Sequence, residues 1–160
     1  MDRIDKILNH DLFLYHLGRN NAAEADRRFC RHGMVHFLDV ARIGTIIALE
    51  EGLKIDREWI YAAALLHDCG KHEQYENGIP HEQASARIAP EILKACGFND
   101  EETGVIVTAI SRHRDPEAAR EKNLNGILYR ADKASRACFA CDAKKDCNWK
   151  DGKKNLTIKY

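Results

Sequence analysis

Residues 60 to 71 read Ile60-Tyr61-Ala62-Ala63-Ala64-Leu65-Leu66-His67-Asp68-Cys69-Gly70-Lys71, an apolar run that ends in two ionisable side chains. Ile60, Ala63, Ala64 and His67 share one helical stripe, so a histidine points inward among aliphatic neighbours. Asp56 stands where an N-cap would open this helix, and Gly70 where it would stop. The same pattern recurs on either side. His36, Val40, Ile43 and Ile47 follow helical spacing, as do Ile106, Ala109, Ile110 and His113. Asp132 falls four residues after Leu128 and four before Arg136, in a stretch rich in Ile127, Ala131 and Ala134.

Helical periodicity extends over nearly the whole chain, and no stretch alternates long enough to make a sheet, so the expected fold is an all-α bundle. The pattern predicts a first helix over residues 4–17, closed by Gly18, Asn20 and Asn21, and a second over about 33–51, ended by Gly52. Residues 71–80 read as a loop, and a helix from His81 is expected to be interrupted or kinked by Pro90. Asn99 and Glu102 form a capping box for the next helix, and a last helix spans about 123–137. The expected division is a bundle over 1–137 and an irregular, cysteine-rich tail over 138–160.

Composition excludes several function classes. The 160 residues carry 25 Lys+Arg against 25 Asp+Glu, which disfavours a nucleic-acid binder that works by bulk charge. The N-terminal stretch alternates charged and apolar residues and does not resemble a secretory signal, and no apolar run is long enough for a membrane span. A cytoplasmic location is expected, where six cysteines are reduced thiols or metal ligands rather than disulfides. Loops of the types G-x-x-x-x-G-K-[ST], G-x-G-x-x-G and H-E-x-x-H are absent.

Three inward histidines with Asp68 and Asp132 would each carry a large desolvation cost if buried alone. Neutral imidazoles and carboxylates are the donors that hold divalent Mn, Fe, Co, Ni or Zn, and one or two such ions would satisfy the whole group.

The order His36, His67-Asp68, Asp132, with intervals of about 30 and 64 residues, resembles the HD superfamily of metal-dependent phosphohydrolases. The contexts His36-Phe37-Leu38-Asp39-Val40-Ala41, Ala64-Leu65-Leu66-His67-Asp68-Cys69-Gly70-Lys71 and Ile127-Leu128-Tyr129-Arg130-Ala131-Asp132-Lys133-Ala134-Ser135 carry the likeness over roughly residues 30–136. The resemblance implies an HD-domain helical bundle, with His36, His67, Asp68 and Asp132 ligating one metal, and His81 and His113 holding a second. Asp68 would be able to bridge the two. Within the superfamily, His81-Glu82-Gln83-Ala84-Ser85-Ala86 and Ala109-Ile110-Ser111-Arg112-His113 are similar to the enzymes that split diadenosine tetraphosphate symmetrically. Arg114 stands where that subgroup has Thr, and the cysteine tail is an addition.

Such a centre would hydrolyse a phosphate ester or phosphoanhydride, of a nucleotide or another small phosphorylated substrate, through a metal-activated water. Asp68 and Lys71 are the expected catalytic residues. Lys71, placed at the mouth of the site, would meet a phosphate oxygen, with Arg114 and Arg136 as further phosphate contacts. His32, one turn before His36, is a candidate for a supporting or substrate contact; His10, His16 and His72 read as ordinary polar residues.

Cys138, Cys141 and Cys147 follow a C-x2-C-x5-C spacing suited to Zn or an iron–sulfur cluster. A fourth ligand would come from Cys30, Cys69, Cys96 or His72, and the spacing does not choose. The alternative to an enzyme is a non-catalytic, metal-dependent sensor or binding module that uses the same scaffold and the tail. Oligomeric state is not written in the sequence.

Overall fold

The computed structural model describes all 160 residues. In chain order the helices are α1 (Asp2–Leu8), α2 (Asp11–Ala23), α3 (Met34–Glu50), α4 (Arg57–Leu66), α5 (Lys71–Asn77), α6 (His81–Ala95), α7 (Asp100–Arg112) and α8 (Leu124–Ala134). Short 3-10 turns cover Pro116–Arg120, Cys138–Ala140 and Asp151–Lys153, and there are no strands. The expected all-α architecture is the observed one.

The alanine-rich α4 is the central rod. Residues Ala62 through Leu66 are fully buried, and the helix packs against α3, α7 and α8. Small side chains let the neighbouring helices approach closely, and Gly44 of α3 lies against Ile60 and Ile127. Asp56 opens α4 by accepting from the Glu58 amide at 2.7 Å, and Asn99 with Glu102 makes the capping box that opens α7. No helix is long and apolar enough to cross a membrane.

Several local expectations are corrected. Residues 4–17 do not form one helix: the chain breaks at Asn9, and His10 caps a new helix by accepting from the Leu12 amide at 3.2 Å. That helix, α2, then runs past Gly18, Asn20 and Asn21 to Ala23, because Asn20 is buried and its amide is engaged in tertiary bonds instead of ending the helix. Asn20 Nδ2 donates to the Asp68 carbonyl at 2.8 Å, and Oδ1 accepts from the His72 amide at 2.8 Å. Residues 71–77 are helical; α5 buries Lys71 and His72, polar residues that an apolar pattern does not flag, and ends at Gly78, whose φ of +70° glycine tolerates. Of the interruption or kink expected at Pro90, the interruption does not occur: Pro90 lies inside an α6 that runs unbroken from His81 to Ala95, with Ile88, Ala89, Ile92 and Leu93 buried on both sides of it.

The last helix ends at Ala134 instead of running to residue 137, with Ser135 as its cap. Beyond it the chain is irregular, as the lack of apolar periodicity implied. Asn155 ties the tail back to the end of α8 by donating to the carbonyls of Lys133 at 2.7 Å and Arg136 at 3.0 Å.

Candidate functional site

The six residues that the sequence singled out as metal ligands are brought together by the ends of five helices. His36 lies in the first turn of α3, His67 and Asp68 immediately follow α4, and His81 is the first residue of α6. His113 caps the C-terminus of α7, and Asp132 stands near the end of α8. Helix ends are rigidly placed by the core yet expose side chains to the gap between helices, so few residues define the site.

The turn carrying His67 and Asp68 is fixed from two sides, by α2 and by α6. Asn20 clamps its backbone, as described above. Gly70 donates its amide to Ser85 Oγ at 2.9 Å, and a Cβ at this position would come within 2.7 Å of the Ser85 nitrogen and 2.8 Å of the Ala84 Cβ. The glycine is required by the closeness of α6, not by its φ.

Asp68 presents its two oxygens to two adjacent half-sites. Oδ2 lies 3.3 Å from His67 Nε2 and 3.6 Å from His36 Nε2. Oδ1 lies 3.1 Å from His81 Nε2 and 3.5 Å from His113 Nε2. Asp132 Oδ1 completes the first half-site, 3.5 Å from His36 Nε2. The donor atoms of His36, His67 and Asp132 lie within 4.8 Å of one another, and those of Asp68, His81 and His113 do likewise.

The hydrogen bonds on the far side of each ring decide what the near side offers. His67 Nδ1 donates to the Ala64 carbonyl and His113 Nδ1 to the Ile110 carbonyl, both at 2.7 Å. His81 Nδ1 donates to Gln74 Oε1 at 2.5 Å. Ser135 donates its only proton to the Asp132 carbonyl at 2.8 Å, so its oxygen accepts from His36 Nδ1 at 3.2 Å. In the neutral form each imidazole therefore turns a bare Nε2 lone pair inward. Those lone pairs face one another, at 3.3 Å between His36 and His67 and 3.2 Å between His81 and His113.

Lone pairs and carboxylates in a buried space repel unless a cation lies among them. Asp68 Oδ1 is buried and has no hydrogen-bond partner, the orphaned acceptor such a cation would satisfy. Burial drives His81 down to about 3 despite the opposing charge of Asp68, which keeps this imidazole neutral and able to ligate. Burial pushes both Asp68 and Asp132 upward, yet interaction with the neighbouring imidazoles, His67 foremost, at Asp68 and with Lys133 first at Asp132 holds both carboxyls well below their ordinary range. The donor set fits one or two divalent ions of the imidazole- and carboxylate-binding kind.

Lys71 is set deeper than the expected mouth position, only 8% exposed, with Nζ 3.1 Å from His81 Nδ1. The His81 proton goes to Gln74, so this contact uses none of the ammonium protons, and Lys71 has no salt bridge. Burial lowers its pKa while Asp68 opposes the shift. Arg114 is exposed, 4.0 Å from Glu82. Arg136 reaches to 3.6 Å from Asp132 Oδ1, and its guanidinium lies 4.0 Å over the Trp149 ring. His32 donates to Glu24 at 2.6 Å and turns its other nitrogen to 3.9 Å from Asp68. His16 and His72 form a buried pair at 2.8 Å, away from the ligand cluster. The tail residues Cys138, Cys141 and Cys147 line a separate cavity.

Sequence reading missed Lys133, Gln74, Ser135 and Glu24. Lys133 lies 2.5 Å from Asp132 Oδ2, and Tyr75 and His32 both donate to Glu24. Only Ser135 had a usable signal, three residues beyond Asp132 and so on the same face at the end of one helix.

A bundle whose helix ends gather imidazoles and carboxylates around a buried gap defines a metal-centre scaffold. The family model of the HD domain matches residues 33–137, and the chain belongs to the HD-domain family. It is 49% identical to an uncharacterized protein of Clostridium beijerinckii (strain ATCC 51743 / NCIMB 8052) over the full length of both chains. The fold is shared with the crystal structure of a predicted HD superfamily hydrolase from an uncultured Thermotogales bacterium, at a TM-score of 0.64 and 24% identity. That likeness covers 89% of this chain and 81% of the other.

Proposed function

We propose that this protein is a metal-dependent phosphohydrolase acting on a nucleotide, at a phosphate ester or phosphoanhydride bond. The observation that carries the reading is the pair of half-sites joined by one carboxylate, each lined by Nε2 lone pairs with no proton between them. Membership of the HD-domain family and the hydrolase named for the Thermotogales structure point the same way.

In this reading His36, His67 and Asp132 would hold one ion and His81 and His113 a second, with Asp68 standing between the two half-sites. Divalent ions bound there supply Lewis acidity, which acidifies water and polarises a phosphoryl oxygen. The chain's own part is to orient and to neutralise. Lys71, whose ammonium protons are left free by the His81–Gln74 bond, donates to a phosphate oxygen. Arg136 and Lys133 brace Asp132 in its ionised state. Arg114, next to His113 and largely in solvent, meets the outer part of the substrate. Cys69 contributes no thiolate, because burial pushes its thiol up to about 12. The finer reading, symmetrical cleavage of a dinucleoside tetraphosphate, follows from the likeness of the stretches around His81 and His113 to that subgroup.

The test is turnover. Protein loaded with Mn or Fe is incubated with nucleoside 5′-monophosphates, nucleoside triphosphates and dinucleoside tetraphosphates, and phosphate and nucleotide products are quantified. Release of product, lost in Asp68→Ala, supports the reading; one or two bound ions without turnover across the panel would sink it and favour the sensor.

A further inference from the structure

Four of the six cysteines meet although the sequence scatters them. Cys138, Cys141 and Cys147 of the tail and Cys30 of the connection between α2 and α3 line one cavity of about 200 Å³. None is in a disulfide. The other candidates for a fourth ligand are removed by their positions, since Cys69 and Cys96 lie in the hydrophobic core and His72 is paired with His16. The tail therefore acquires its fourth thiol from a residue more than a hundred positions upstream.

Spacing between the sulfurs speaks to what they hold. A single tetrahedral zinc with Zn–S bonds of about 2.3 Å would draw four sulfurs to roughly 3.8 Å from one another. Here all four thiols line one cavity of about 200 Å³, far more space than a single zinc ion occupies. The thiols enclose a volume that a larger sulfur-bridged group would fill. Iron–sulfur clusters are such groups, and four cysteine thiolates are their usual holders.

Charge agrees with this. Arg28, Arg136, Lys144 and Lys154 line the cavity, and no carboxylate does. A centre bound by four thiolates is anionic, and a wall of cations offsets that charge. The tail also needs an anchor beyond its own packing. Between residues 138 and 160 only Ala143 and Asn155 are buried, and the regular structure amounts to two three-residue turns. A bound cluster would supply the missing folding energy.

We propose that Cys30, Cys138, Cys141 and Cys147 ligate an iron–sulfur cluster of the [4Fe–4S] type, which fastens the tail to the bundle beside the histidine–aspartate centre. Arg136 touches both centres, lining the cysteine cavity and standing 3.6 Å from Asp132 Oδ1. Assembly of the cluster thereby holds in place a residue that braces the other site.

Protein purified without oxygen, or reconstituted without oxygen from ferric iron, sulfide and a dithiol that supplies the two electrons needed per cluster, is assayed for iron, zinc and acid-labile sulfide and for visible absorption. About four sulfides per chain are expected, with the broad visible absorption of a cluster. Sulfide reports this site alone, because the histidine centre uses none. Cys30→Ser should lose most of the sulfide and the colour, while His67→Ala keeps both. One zinc per chain on the four thiolates, with no sulfide, would overturn the cluster. Unchanged sulfide content in Cys30→Ser would overturn the assignment of the fourth ligand, and a wild-type chain with neither sulfide nor zinc at these cysteines would remove the site altogether, whatever the variants do.

Discussion

Removing the hydroxyl of Ser135 should weaken metal binding without unfolding the protein. The hydroxyl has one proton, which goes to the Asp132 carbonyl, and its oxygen accepts the His36 Nδ1 proton at 3.2 Å. In Ser135→Ala nothing in the protein holds that proton on Nδ1, so the imidazole samples the tautomer whose Nε2 is protonated and cannot ligate. Loss of a partner of this kind costs about 10- to 100-fold in metal affinity, or roughly 1.4 to 2.8 kcal/mol. The stability of the metal-free fold should fall by only about 1 kcal/mol, the net worth of one hydrogen bond. Calorimetric titration with Mn at pH 7.5 measures the affinity, and urea unfolding in EDTA measures the stability. Ser135→Thr, which keeps the hydroxyl, should bind nearly as well as the parent. An alanine variant whose Kd matches the parent within twofold, or a threonine variant as weak as alanine, would refute the tautomer argument.

The remaining predictions concern the fold and its response to pH and metal. Gly70→Ala forces a Cβ to 2.7 Å from the Ser85 nitrogen and 2.9 Å from the Ala84 carbonyl carbon, and should cost about 3 kcal/mol or more in urea unfolding; a change below about 0.5 kcal/mol would show that α6 does not press on this turn. Burial first, and His72 beside it, lower His16 from 6.5 to about 4, so between those values the unfolded chain binds more protons and stability falls as pH falls. Unfolding of the metal-free protein should lose about 2 kcal/mol from this group between pH 7 and pH 5, and His16→Gln should show a correspondingly smaller pH slope. Metal removal should destabilise: free Mn at a hundred times its Kd contributes about 2.7 kcal/mol, so adding EDTA should lower the Tm, and an unchanged Tm would mean that the ion does not prefer the folded state.

Much of the site was legible because its ligands break the apolar stripes of helices that are otherwise regular. His67 continues the stripe of α4 and Asp132 that of α8, and a buried ionisable group in such a place demands a partner. What escaped was the polar scaffolding. Asn20 looked like a helix terminator because in isolation an asparagine competes with the backbone, yet here its amide bonds to Asp68 and His72 on other elements. The helix α5 escaped for a related reason, since its buried face consists of Lys71 and His72, and hydrophobic periodicity registers only apolar burial. Lys133 and Glu24 are surface residue types, and only their neighbours in space make them part of the site.

By itself the sequence determined the helical class, the alanine-rich helix that ends at His67 and the identity of the inward-facing imidazoles and carboxylates, because local spacing dictates which side chains share a helix face. Tertiary structure alone decided how those faces meet: which oxygen of Asp68 faces which pair of rings, which nitrogen of each ring is bare, and that Cys30 joins the three distant thiols of the tail. These are relations between segments far apart along the chain. Their distances follow from how the core packs, a quantity that no window of residues contains.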